Sequence, residues 1–67
     1  MSKIADLMEQ TIVPAIIEDV VMPEIEELMD EGDVTADTYD EDVTQIELQA
    51  FEYLAKLIED RIKMLKG

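Results

Sequence analysis

Residues 40–66 run for 27 positions without a glycine or a proline, and their apolar side chains recur at three- and four-residue intervals. That pattern predicts one long helix. Arg61, Lys63 and Lys66 fall in its last turns, where cations suit the negative end of a helix. Two stretches fit a capping box at its start, Thr38-Tyr39-Asp40-Glu41 and Thr44-Gln45-Ile46-Glu47. The earlier is favoured, because Asp40, Glu41 and Asp42 then lie against the positive terminus.

A single helix of this kind has no core, so the rest of the chain must fold back on it. Gly32 and the run from Gly32 to Thr38 form the one clear loop, rich in small polar residues that prefer turns. Gly32 is placed to end the preceding helix in a left-handed conformation. The first arm, residues 3–31, is helical in period but carries Pro14 and Pro23 within a weak nine-residue repeat, Ile12–Val20 beside Val21–Met29. Each proline either kinks a helix or starts a new one. Glu24, Glu26 and Glu27 favour a fresh start at Pro23, whereas the apolar run around Pro14 predicts a kink inside a buried helix. Ser2 is read as a helix cap. The expected architecture is therefore an all-α helical hairpin in one domain, residues 1–67: a Pro-kinked or broken arm 3–31, an acidic connector 32–39 and a helix 40–66.

On a helical wheel the second helix is apolar over about 220°, although one partner helix needs little more than about 100°. The surplus predicts self-association. A chain of 67 residues buries only about 60% of its unfolded surface and usually needs a staple, a metal or a partner subunit. With no Cys and no His, neither a disulfide nor a thiolate or imidazole metal site is available. Glu47 and Arg61 interrupt the apolar sector seven residues either side of Leu54. If two helices cross antiparallel with Leu54 on a two-fold axis, Glu47 faces Arg61 twice, Val43 meets Leu65, Ala50 meets Ile58 and Phe51 meets Leu57. A homodimer forming a four-helix bundle, or a higher oligomer, would consume both apolar faces. The other reading of Glu47 and Arg61 is that each reaches solvent past a helix end.

Charge sharpens the functional expectation. The net charge is −13, and twelve carboxylates with no Lys or Arg lie between Glu18 and Asp42. Five bases in the whole chain argue against direct contact with nucleic acid. No apolar run approaches the roughly 20 residues needed to span a bilayer. In the absence of a signal peptide or lipidation motif, the expected location is cytoplasmic. Catalysis is not expected, since His and Cys are missing and Ser2 is the single serine. No cofactor or metal is expected either. Asp33, Thr35, Asp37, Tyr39 and Glu41 alternate as calcium ligands do, but Thr38 and Thr44 stand where a calcium loop needs Gly and Glu.

The acidic residues left for recognition are Glu24, Glu26, Glu27, Asp30, Glu31, Asp33 and Asp37, near the hairpin tip. Carboxylates spaced along a helical surface can imitate a phosphate backbone and occupy the groove of a basic, nucleic-acid-binding protein. In composition alone the chain is similar to small acidic inhibitors of phages and mobile elements, which use that device. The expected function is a non-enzymatic, self-associating acidic interaction module with a basic protein as partner. The alternative is a structural homo-oligomeric subunit whose acidic block only keeps it in solution.

Overall fold

The computed structural model describes residues 2–67, and every regular element among them is helical. Helix α1 spans Lys3–Ile16, a π-helical turn spans Ile17–Val21, α2 spans Met22–Glu31 and α3 spans Tyr39–Lys66. The first three form one arm, which α3 meets at the π turn and at α2. The fold is thus an all-α helical hairpin.

Neither proline breaks the first arm. Ile16, Ile17, Val21 and Met22 all keep right-handed helical backbone angles. The fresh helix expected at Pro23 is instead a continuation, and the distortion lies just before it: the Met22 amide donates to the Ile17 carbonyl, five residues back. Proline has no N–H to give the carbonyl four residues earlier and its ring crowds that carbonyl, so the wider turn absorbs both defects. Pro14 lies within α1 and is exposed, and α1 has no buried residue. The buried setting expected for Pro14 is therefore not present, although Ile12, Ala15 and Ile16 beside it are half-buried.

The π turn also repairs the register of the apolar face. Ile12, Ile16, Val21, Ile25 and Leu28 are all at least half-buried, with spacings of four, five, four and three. A five-residue step would throw Val21 off an α-helical face, whereas a π turn closes its rings one residue later and keeps it inward.

Gly32 ends α2 with φ 82° and ψ 5°. Its amide donates to Met29 at 3.1 Å and that of Asp33 to Leu28 at 2.9 Å, the two bonds of a Schellman ending. The amide of Val34 shares the Leu28 carbonyl at 3.2 Å, which turns the Val34 side chain back into the core. Val21, Ile25 and Val34 are the three buried hydrophobic side chains among the described residues.

Helix α3 begins one residue before the expected start, with Thr38 at the N-cap position. The expected capping box does not form. The Thr38 hydroxyl faces backwards, accepting the Thr35 amide at 3.1 Å and lying 3.3 Å from the Thr35 hydroxyl. It therefore ties the connector rather than the first amides of α3. The Thr44 hydroxyl donates to the Asp40 carbonyl at 3.0 Å, a back-bond that places Thr44 inside the helix and removes the second capping box. Ser2 likewise stands before α1 in an extended conformation without a side-chain cap.

The result is slender. The radius of gyration is 15.0 Å, against about 11 Å for a compact domain of this length. The chain exposes 5602 Å², about 1300 Å² more than the ~4300 Å² of a compact folded protein of this mass.

Candidate functional site

Two surfaces of the hairpin, which adjoin at Val20 and Ala50, carry distinct chemistry. At the tip, an open groove of ≈ 600 Å³ runs between α2, the connector and the first turns of α3. Val20, Leu28, Val34, Ile46 and Ala50 supply its apolar lining, and Glu24, Asp33, Asp42, Gln45 and Gln49 its polar one. Three carboxylates above an apolar floor suit a lysine or arginine, whose methylene stem needs apolar cover and whose head needs charge.

Of the acidic residues expected to act, Glu24 and Asp33 line this groove. Glu26, Glu27, Asp30, Glu31 and Asp37 are exposed and do not line it. Asp42 was assigned only a helix-start role from the sequence, yet it is half-buried and lines the groove. Gln45 and Gln49 enter with it, one turn and two turns along α3. Their spacing from Asp42, three and seven residues, is the signal that could have found them.

Several of these acids stand where they work against the fold. Helix α2 ends on Asp30 and Glu31 with no base in its last turn. Negative charge beside the unpaired carbonyls of a helix C-terminus is unfavourable, so this end of α2 would gain from a bound cation.

At the other end the two arms part. An apolar crevice of ≈ 200 Å³, lined by Ile16, Val20, Ala50, Tyr53, Leu54 and Leu57, marks the fork. Beyond it α1 exposes Ile4, Leu7 and Met8, and α3 exposes Leu57, Ile58, Ile62, Met64 and Leu65, with Ile4 at 72% and Leu65 at 76%. The residues expected to mediate self-association divide at this fork. Val43, Glu47, Ala50 and Leu54 are half-buried on the α3 face over the chain's own first arm, whereas Leu57, Ile58, Arg61 and Leu65 are exposed.

Among the described residues no group of three or more acidic side chains is placed to hold a metal ion, and no helix is long and apolar enough to cross a membrane. Comparison with protein-family models, with curated proteins and with solved structures gives no match for this chain.

Proposed function

We propose that this chain is a non-enzymatic interaction module that assembles with itself through its open end and presents its acidic tip to a basic partner protein. The observation that carries this reading is the division of the surface. Uncovered apolar side chains gather beyond the fork, and carboxylates gather around a groove at the tip. The exposed excess of about 1300 Å² exceeds the ~800 Å² that each partner of a standard interface buries. A homodimer completing a four-helix bundle would remove it.

The tip supports the second half of the reading. Acids that destabilise the end of α2 in the free protein become favourable when a lysine- or arginine-rich surface docks. A nucleic-acid-binding protein offers such a surface, and the tip would occupy it as a phosphate backbone does. Such a role fits a cytoplasmic setting, where such partners are found.

The test is competition on immobilised heparin. The protein should release a basic nucleic-acid-binding protein from the column at low salt and lose that ability as salt rises. The triple variant Glu24→Gln, Asp33→Asn, Asp42→Asn should fail at every salt concentration while retaining its oligomeric mass. Equal release by the variant would remove the tip from the reading and leave the structural subunit, which the small core of three buried side chains independently favours.

A further inference from the structure

We infer that the occupant of the open end is a second copy of this chain, docked antiparallel so that the two acidic tips point away from each other. This rests on the self-association proposed above and adds its orientation.

Charge selects the occupant and its direction. The segments that flank the exposed stripes, residues 2–17 and 55–67, hold all five bases of the chain, Lys3, Lys56, Arg61, Lys63 and Lys66, against four acids. The open end is close to neutral, whereas residues 18–42 carry twelve negative charges. Two open ends meet without repulsion, and their apolar stripes match because they are the same stripes. A parallel dimer would bring twelve carboxylates beside twelve within two helix diameters, about 24 Å. An antiparallel one places the two tips about the 45 Å length of a protomer apart, several times the roughly 8 Å screening length at physiological salt.

The same distribution argues against other occupants. An anionic membrane surface repels a chain of net charge −13, and a basic partner protein is drawn to the tip rather than the near-neutral end. The stripes also have the length a helix requires. Leu57, Ile58, Arg61, Ile62 and Leu65 repeat at three and four residues over more than two turns of α3, the pattern of a helix-packing seam. Arg61 within that seam finds Glu47, the acid on the same face of α3, on the other copy when the two helices cross antiparallel about Leu54.

The chain has no cysteine, so single introduced thiols report cleanly. Spin labels on Asp37→Cys, at the tip, and on Lys66→Cys, at the open end, are measured by pulsed dipolar spectroscopy alongside the mass in solution. The expected result is a dimeric mass with a tip-to-tip separation of about 45 Å and a shorter Lys66-to-Lys66 separation. A dimeric mass with tips closer than about 24 Å overturns the orientation and leaves self-association standing. A monomeric mass at high salt, where acid repulsion is screened, overturns both.

Discussion

The Met22 amide donates to the carbonyl of Ile17, and this one bond keeps Val21 on the same side of the first arm as Ile16. Without the wider turn, the five-residue step between them would divide the inward face. The chain therefore carries one residue more than an α-helix needs at this point.

That surplus can be removed. Deleting the exposed Glu18 brings Ile16 and Val21 to a four-residue spacing on a plain α-helix. Far-UV helicity is expected to persist, with unfolding free energy within about 1 kcal/mol of the parent. Deleting the equally exposed Glu27 instead swings Leu28 by about 100° and should cost about 2 kcal/mol or more. Chemical denaturation of the two deletions gives the comparison, and equal losses would remove the register role of the π turn.

Gly32 is a backbone position rather than a packing one. A Cβ there would meet nothing within 4 Å, yet φ is 82°. Gly32→Ala should therefore cost about 1–2 kcal/mol through conformational strain alone. Gly32→Asn should cost less, because asparagine tolerates the left-handed region. Thermal melts of the two variants check the order.

The two ends of the hairpin should respond differently to truncation. Ile25 is fully buried, so Ile25→Ala is expected to lose about 2–5 kcal/mol, enough to unfold a domain with so small a core. Leu65→Ala should change the monomer by less than about 0.5 kcal/mol and act on assembly instead. Denaturation at low protein concentration reads the first effect, and sedimentation over a concentration series the second.

The register of the proposed dimer is read by charge reversal. Glu47 is half-buried and Arg61 exposed within one protomer. With Leu54 on the two-fold axis, Glu47→Arg or Arg61→Glu alone should raise the dimer dissociation constant about tenfold, and the double reversal should restore it. Additive losses in sedimentation would remove the Glu47–Arg61 pairing.

Much of the fold is legible in the chain because the interactions that specify it are local. The ending at Gly32 depends on one residue able to hold a positive φ, and α3 on a long stretch free of helix breakers. The π turn is less legible: two prolines draw attention to themselves, whereas its actual cue is the gap from Ile16 to Val21, visible only when the inward face is followed across both. The Thr38 capping box fails for a related reason. The spacing to Glu41 is right, but the connector turns Thr35 onto the same hydroxyl, and this competing bond three residues back replaces the one that the capping rule assigns.

By itself the sequence determines the helical spans, the single turn and the separation of acid from base, since each follows from neighbours along the chain. Only the tertiary structure decides which apolar residues are covered. A first arm that meets α3 at the π turn and α2 can shelter just one end of a helix 28 residues long. Burial depends on what lies opposite, and beyond the fork Ile62 and Leu65 stay exposed among the described residues. That is the physical reason the same apolar period serves as core at one end of α3 and as exposed surface at the other.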